Sequence, residues 1–270
     1  MPRNPVMVFL GGGRITTALL SGLRLAKYRG PIFVHDRNAH KLERLRREFR
    51  IKTEADLNEA VRRADILILA VRPQDLAALL ASLPPIHRPM AALSLAAGIP
   101  LTVLRRLLGT PVRWARAMPS PAARNGHGLT GLTFSAKYPN AARRAIEHLF
   151  SSVGKIVHIP DRQMDAFTVA YSSSHGQYAM QALCAAAQKL GLPRRLALIA
   201  ATHALADSVV ASQDSRLRTA ELLHEAATPG GIAAECMAAL DAGGYPRIVE
   251  RALRAGVNRA RKFATAGRPR

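Results

Sequence analysis

The chain has 270 residues, 49% of them hydrophobic, and this composition excludes a chain that stays disordered. Its formal net charge of +21 comes mostly from Arg spread along the whole sequence without a basic and aromatic stripe, which favours a solvated basic surface over a specific nucleic-acid interface. The two cysteines form no C-x-x-C pair, and the opening segment is unlike a secretory signal. We also expect that no apolar run reaches the length of a membrane span. Together these features predict a cytoplasmic protein without membrane contact.

Strands and helices alternate in the first 160 residues. Short apolar runs predict strands at 6–10, 31–35, 66–71, 90–95, 112–117, 132–134 and 156–159. Helical spacing of apolar residues predicts helices at 15–25, 38–49, 55–63, 75–82, 101–108 and 140–151. This alternation is typical of a mostly parallel sheet with crossover helices, so we assign the fold to the α/β class.

The sequence patterns that predict strands end after Pro160, where the sequence becomes rich in Ala and Leu. Helices are predicted at 162–190, 194–212, 216–226, 231–242 and 248–264. We therefore predict two domains, residues 1–160 with the sheet and residues 161–270 with helices alone. Helices that are apolar on several faces often meet a second copy, so a homodimer or a higher homo-oligomer is expected.

A glycine-rich turn follows the first predicted strand and opens the first helix. Gly11-Gly12-Gly13-Arg14-Ile15-Thr16 matches the dinucleotide pattern G-x-G-x-x-[G/A] in its first five positions, with Thr16 where a small residue is usual. Glycines allow the backbone to approach a pyrophosphate, and free N–H groups at a helix N terminus attract it. We therefore predict cofactor contacts from Gly11-Gly12-Gly13-Arg14-Ile15.

The end of the second strand carries both signals that distinguish the two nicotinamide cofactors. An acidic residue such as Asp36 usually binds the ribose 2′-hydroxyl of NAD, whereas an arginine such as Arg37 can hold the 2′-phosphate of NADP. Arg37, with Asn38 and Lys41 nearby, forms a phosphate-binding set, so we predict NADP, with NAD as the alternative.

Four further motifs occur in order along the chain: Ala70-Val71-Arg72-Pro73-Gln74, Ser94-Leu95-Ala96-Ala97-Gly98-Ile99, Arg116-Ala117-Met118-Pro119 and Pro229-Gly230-Gly231. With the glycine-rich turn, they resemble the pyrroline-5-carboxylate reductase family over nearly the whole chain. The resemblance implies a Rossmann-type domain, an all-helical dimerisation domain and NAD(P)H-dependent reduction of a cyclic imine, pyrroline-5-carboxylate to proline, in proline biosynthesis.

The resemblance also implies roles for individual residues. Ala70-Val71-Arg72-Pro73 would lie along the cofactor and Ala97-Gly98 near its nicotinamide, while Met118-Pro119 and Gly230-Gly231 would contact the substrate. For Arg72, the alternative to a cofactor contact is that it is a surface arginine at the end of a strand.

The substrate half departs from the family pattern. Where the family has S-P-G-G-T-T this chain has T-P-G-G-I-A, so both threonines are replaced, by Ile232 and Ala233. Where the family has S-G-S-G-P-A-Y the chain has S-S-S-H-G-Q-Y, which introduces His175. These changes indicate either a different substrate or weakened activity.

The remaining groups suggest three catalytic candidates. Ser174 keeps the family's serine, and the imidazole of His175 can donate a proton to an imine nitrogen, although a helix-surface histidine is the alternative. Thr228 opens the last glycine motif and has the alternative role of a helix N-cap. The acidic residues lack a histidine-rich context, so no metal is expected.

Two classes of function follow. The first is a reductase acting on a C=N bond, with an altered substrate site. The second is a non-catalytic dinucleotide-binding paralogue, or a reductase of a different imine or keto substrate.

Overall fold

A computed structural model describes residues 4–214 and 219–266 of the chain. They form two compact units. The first unit holds the described residues up to Ala170 together with those from Ala255 onward, and the second runs from Tyr171 to Arg254. The domain boundary at residue 160 stays a prediction. Part of the helix predicted at 216–226 lies outside the described residues.

The first unit is built on one eight-stranded sheet. Its order is β3-β2-β1-β4-β5-β6-β7-β8, and every neighbouring pair is parallel except β6 and β7. This confirms the predicted mostly parallel sheet and the α/β class. The strands are β1 (Met7–Leu10), β2 (Ile32–His35), β3 (Lys52–Glu54), β4 (Ile66–Leu69), β5 (Met90–Ser94), β6 (Val112–Pro119), β7 (Gly128–Phe134) and β8 (Gly154–His158).

Helices connect the strands and then continue alone. The first seven are α1 (Arg14–Leu25), α2 (Ala39–Phe49), α3 (Leu57–Arg63), α4 (Leu76–Ala81), α5 (Leu101–Leu107), α6 (Asn140–Ser151) and α7 (Met164–Ala170). Short 3-10 helices span Pro73–Asp75, Pro121–Asn125 and Asp161–Gln163. The rest are α8 (Ser173–Lys189), α9 (Arg194–Asp214), α10 (Thr219–Glu225), α11 (Ile232–Ala242) and α12 (Tyr245–Ala266).

The central strands are buried on both faces of the sheet. Phe9 and Ile68 contribute to one apolar cluster, while their strand neighbours Val8 and Leu67 contribute to the other. Successive side chains of a strand point to opposite faces, so a strand covered by helices on both sides must be apolar throughout. This is why unbroken apolar runs predicted β1, β4 and β5 with small errors at their ends.

The structure differs from the predicted elements in three places. Strand β3 was not predicted, because Lys52–Glu54 is a short polar edge strand without an apolar pattern. Strand β7 begins at Gly128 rather than at residue 132, since glycines interrupt its apolar pattern. The single helix predicted at 162–190 is wrong: it is a 3-10 turn followed by α7 and α8, and the break at Ser172 carries no Pro or Gly that would signal it.

Helix α9 corrects the expectation about apolar length. The stretch Arg194–Ser212 has a mean hydropathy of 1.2 and is, by length and composition alone, long enough to cross a membrane. The expectation that no apolar run reaches this length is therefore wrong, because Thr202, His203 and Asp207 interrupt the run without making the helix polar. Only 11% of that stretch is buried within the chain, so its apolar surface is open to a partner or a membrane.

Candidate functional site

The glycine turn begins where three strands meet. Gly11 has a φ of +118° and donates its N–H to the His35 carbonyl at 2.7 Å. A Cβ at Gly11 would lie 2.6 Å from the Ala70 carbonyl oxygen, which is closer than any side chain tolerates. Both the backbone angle and the contact require glycine here, so the turn is held between β2 and β4.

The next two glycines differ in what surrounds them. A Cβ at Gly12 would lie 2.9 Å from Leu45 Cδ1, whereas a Cβ at Gly13 would meet nothing within 4 Å. Gly13 is the N-cap of α1 and supplies no side-chain hydrogen bond to its first turn. The N terminus of α1 therefore faces open space, and this geometry fits the pyrophosphate of a dinucleotide, because helix N–H groups and the helix dipole both attract an anion.

Thr16 explains how the turn tolerates a departure from the usual pattern. Its side chain is fully buried, and its hydroxyl donates to the Gly11 carbonyl at 2.6 Å. A buried hydroxyl without a partner would be costly, but this hydrogen bond satisfies it and ties the helix to the turn. The threonine at the sixth position is therefore compatible with the dinucleotide turn.

Asp36 links the end of β2 to the same turn. Its carboxylate accepts hydrogen bonds from the N–H groups of Gly12 at 2.8 Å and Asn38 at 2.9 Å, and it pairs with Lys41 Nζ at 3.3 Å. Burial alone would raise the pKa of Asp36, but the two N–H donors and the Lys41 ammonium outweigh it and hold the pKa below its usual value. The carboxylate is therefore ionised and positions the glycine turn.

The predicted phosphate-binding set is only partly available. The Asn38 side chain accepts from the Lys41 N–H and caps α2, and the Lys41 ammonium is paired with Asp36. Arg37 is exposed and makes no ion pair within the described part of the chain. Since Lys41 offsets the charge of Asp36, Arg37 is left as the group of this set best able to hold a 2′-phosphate.

The other predicted cofactor and substrate residues of the first unit lie at the same edge. Ala70-Val71-Arg72-Pro73 follows β4, Ala97-Gly98 follows β5, and Met118-Pro119 ends β6, and these parallel strands stand in the sheet order β1-β4-β5-β6. The Ala70 N–H donates to the Leu10 carbonyl at 2.9 Å, which places this segment against the glycine turn. The carboxyl edge of a parallel sheet is where ligands bind in open α/β folds.

Two of these residues have structural partners of their own. Arg72 Nε donates to Asp75 Oδ2 at 2.8 Å, and the Arg72 side chain is 74% exposed. Gly98 has a φ of +75°, and a Cβ there would lie 2.2 Å from the Ala260 carbonyl oxygen of α12. Close packing of α12 therefore requires glycine at position 98 independently of a cofactor. The cofactor roles of Arg72 and Gly98 stay predictions.

A buried ionic cluster supports the end of β6, and sequence reasoning missed it. Arg116 is fully buried and pairs through Nη1 with Asp161 at 2.6 Å and through Nη2 with Asp165 at 3.0 Å. Asp161 Oδ2 also accepts from the Leu101 N–H at 2.9 Å. The cluster joins β6 to α5 and α7, so it fixes the strand that carries Met118. An arginine inside an apolar strand was the available signal.

The remaining candidates belong to the second unit. Ser174 and His175 are exposed in the first turn of α8, where the Ser174 hydroxyl lies 2.7 Å from that of Ser172. The Thr228 carbonyl accepts from the Gly231 N–H at 2.8 Å, and Gly231 is the N-cap of α11. The alternative of Thr228 as an N-cap is therefore wrong, because the chain makes one more turn before the helix starts.

No group of three or more His, Cys, Asp or Glu side chains within residues 4–214 and 219–266 is placed to hold a metal ion.

Comparison with known proteins identifies relatives of both halves of the chain. The model of the family described as NADP oxidoreductase coenzyme F420-dependent matches residues 6–98, and that of pyrroline-5-carboxylate reductase dimerisation matches residues 161–263. The pyrroline-5-carboxylate reductase of Pseudomonas aeruginosa is 31% identical over 266 residues, covering 97% of both chains. That of Thermus thermophilus is 32% identical over 266 residues, covering 96% of this chain and 95% of the relative.

Solved structures support the same architecture. The structure of Plasmodium falciparum pyrroline carboxylate reductase with NADP bound has a TM-score of 0.88 at 20% identity, covering 98% of this chain and 100% of the other. The structure of a pyrroline-5-carboxylate reductase from Coxiella burnetii has a TM-score of 0.82 at 24% identity, covering 97% of this chain and 99% of the other. These likenesses confirm the fold, a Rossmann-type sheet followed by a helical region.

Proposed function

Since this chain belongs to the pyrroline-5-carboxylate reductase family, we propose that it reduces the C=N bond of a cyclic imino acid with NADPH. Pyrroline-5-carboxylate is the first substrate to consider, and proline would be its product in proline biosynthesis. The observation that carries the proposal is the open N terminus of α1, preceded by a turn in which Gly11 is required and a Cβ at Gly13 meets nothing.

The first unit would bind and orient the cofactor. The N–H groups at the start of α1 would hold the pyrophosphate, and the segments after β4 and β5 would line the rest of the cofactor. Arg37 would hold the 2′-phosphate, which supports NADPH, with NADH as the alternative. When bound, the reduced nicotinamide supplies the hydride that reduces the imine carbon.

The second unit would bind the substrate and supply a proton. Gly230-Gly231 precedes α11, so the N–H groups of that helix could hold a substrate carboxylate. Reduction of a C=N bond adds a hydride to carbon and a proton to nitrogen, and His175 is our candidate proton donor. Ser174 would contribute a hydrogen bond and Thr228 would shape the turn before the helix.

A second candidate function rests on one observation. Ile232 is 87% exposed and, with Ala233, stands where two hydroxyl side chains are expected by resemblance. Loss of two donors weakens carboxylate binding, because each hydrogen bond to a charged group is worth about 1.5–3 kcal/mol. A chain with a weakened site would act on another imine or keto substrate, or bind a dinucleotide without catalysis.

We also propose that the second unit assembles a homodimer. Large apolar side chains are exposed along α9 and α11, including Leu196, Ile199, Val210 and Leu240. Exposed apolar surface of this extent marks a contact with another molecule, and the matched dimerisation model points to a second copy. Under this proposal the apolar helix α9 meets a partner subunit rather than a membrane, and the enzyme is cytoplasmic, without a specific nucleic-acid partner.

A turnover assay tests the proposal. Purified protein is mixed with NADPH and, in separate reactions, pyrroline-5-carboxylate, a six-membered cyclic imino acid and a linear keto acid, and NADPH absorbance is followed. Oxidation of NADPH with either cyclic substrate, absent in the Gly13→Val protein, supports a cyclic imine reductase. Oxidation with the keto acid alone supports the other reductase, and tight NADPH binding without any oxidation supports the non-catalytic paralogue.

A further inference from the structure

A cleft opens in the first unit at the amino ends of β2 and β3, on the side of the sheet away from the glycine turn. It has a volume of about 560 Å³ and lies between the connection from α1 to β2 and the connection from α2 to β3. The glycine turn follows the carboxyl end of β1, whereas these connections precede the amino ends of β2 and β3. Because β1 and β2 are parallel, the cleft lies at the amino ends of the strands and the glycine turn at their carboxyl ends.

The cleft is strongly basic. Its described lining contains five cationic side chains and no Asp or Glu: Arg24, Lys27, Arg29, Arg50 and Lys52. None of the five makes an ion pair with a carboxylate in the described part of the chain, although Arg44 and Arg46 on neighbouring α2 are both paired. An excess of unpaired positive charge in one concave surface attracts anions.

The partial negative charges of the nearby helix ends offset only part of this positive side-chain charge. Helices α1 and α2 both end at the cleft, and each C terminus carries a partial charge of about −0.5, which favours cations nearby. Two such ends offset about one positive charge and leave a net of about +4 in the cleft. The positive charge of the arginines and lysines therefore exceeds the partial negative charge of the two helix C termini.

The backbone places two of these cations where glycine is the favoured residue. Lys27 has a φ of +53° and Arg50 a φ of +54°. Within residues 4–214 and 219–266, only Lys137 is a further residue other than glycine with a positive φ. Both residues form the left-handed turn that ends a helix, α1 for Lys27 and α2 for Arg50, and both line the rim of the cleft.

The floor of the cleft is aromatic and apolar. Tyr28 and Phe49 are half-buried there and pack with the apolar cluster on the α1 and α2 side of the sheet. The Phe33 side chain packs with the cluster on the opposite side, where Lys52 Nζ lies 5.6 Å from the centre of its ring. Arg24 Nη1 donates to the Glu48 carbonyl at 2.7 Å, which anchors one guanidinium at the rim. Flat apolar surface beneath several phosphate-binding cations suits a ligand that has both a ring and several negative charges.

We propose that this cleft binds a phosphorylated small molecule with an aromatic ring, such as a nucleoside polyphosphate, at a site separate from the cofactor turn. The volume lies within the range of small-molecule sites, about 300–1,000 Å³. Phosphates would contact the rim cations, and the ring would pack on the aromatic floor.

The test uses ATP as the probe and a protein in which Gly13→Val blocks the cofactor turn. In this background, Lys27→Gly and Arg50→Gly each remove one rim charge and relieve a strained backbone position. Lys137→Gly is the matched control, because it removes the same kind of charge and strain away from the cleft. All three variants are expected to keep or raise the melting temperature. Calorimetric titration then measures ATP affinity for each.

We expect ATP to bind the Gly13→Val protein and Lys137→Gly equally well. Lys27→Gly with Arg50→Gly should weaken binding about tenfold or more, since two charge-assisted contacts are lost. Inorganic tripolyphosphate, which lacks a ring, should bind at least about tenfold more weakly than ATP if a base packs on the aromatic floor.

Four results would overturn the proposal: no binding of ATP, equal loss in Lys137→Gly, equal affinity for tripolyphosphate, or no change in any of the three variants. Tighter binding of a single-stranded oligonucleotide, rising with its length, would also overturn it and assign the basic surface to nucleic acid.

Discussion

Substitution of Gly13 by valine separates dinucleotide binding from folding. Gly13 has φ −79° and ψ −170°, an extended conformation that valine adopts readily, and a Cβ there meets nothing within 4 Å. The valine side chain would therefore enter the space in front of α1 without disturbing the core. If two hydrogen bonds from the first turn to the pyrophosphate are lost, at about 1.5–3 kcal/mol each, affinity for NADPH falls by about two to four powers of ten.

Calorimetric titration with NADPH measures this loss, while circular dichroism and thermal unfolding report the fold. Gly11→Ala provides the contrast, because its Cβ would lie 2.6 Å from the Ala70 carbonyl at a φ of +118°. We expect Gly11→Ala to lose both stability and binding and Gly13→Val to lose binding alone. Unchanged NADPH affinity in Gly13→Val would refute the assignment of the turn.

Four further predictions address the cofactor, the fold, the assembly and the proton donor. Arg37→Ala should weaken NADPH more than NADH by about 1.5–3 kcal/mol, and equal losses in titration would show that Arg37 does not bind the 2′-phosphate. Asp36→Asn should lower the free energy of unfolding at pH 7 by about 2 kcal/mol. Because the pKa of Asp36 is depressed in the folded state, this difference should be full above about pH 4 and vanish as pH falls through the folded-state pKa, and a pH-independent difference in thermal unfolding would contradict the ionic role. Light scattering at micromolar concentration should give a homodimer or a larger homo-oligomer, and a monomer would contradict the role of the second unit. Reduction of pyrroline-5-carboxylate should be slower in His175→Ala than in the wild type, since the candidate proton donor to the imine nitrogen is lost, and equal turnover numbers for the two proteins would remove His175 from the mechanism.

The sheet could be predicted because its strands are buried on both faces. Apolar runs such as those of β4 and β5 leave few alternatives, and helices covering both faces make those runs continuous. The short edge strand β3 and the break before Ser173 could not be predicted, because tertiary contacts rather than local residue preferences determine them. Helix α9 was predicted at 194–212, and only its apolar character was misjudged, although mean hydropathy follows from the sequence alone.

The candidate site could be predicted where glycines carry the signal. The turn from Gly11 to Gly13 and the segments after β4 and β5 meet at one edge, as parallel topology requires. What the sequence left open were the partners of individual side chains. Arg116 pairs with Asp161 and Asp165, which lie 45 and 49 positions away in the chain, and Lys41 pairs with Asp36 rather than remaining free for a phosphate. Such pairings depend on how distant segments pack.

Transfer of an isotopic label from NADPH to the product tests whether this chain reduces a cyclic imine. The protein is incubated with pyrroline-5-carboxylate and NADPH that carries deuterium at both positions of the hydride-donating carbon of the nicotinamide, and the product is examined by mass spectrometry and NMR. We expect proline with one deuterium on the ring carbon of the former C=N bond, formed by the wild type and not by Gly13→Val. Tight NADPH binding with all label retained in the cofactor, for this and other cyclic imino acids, would contradict this expectation.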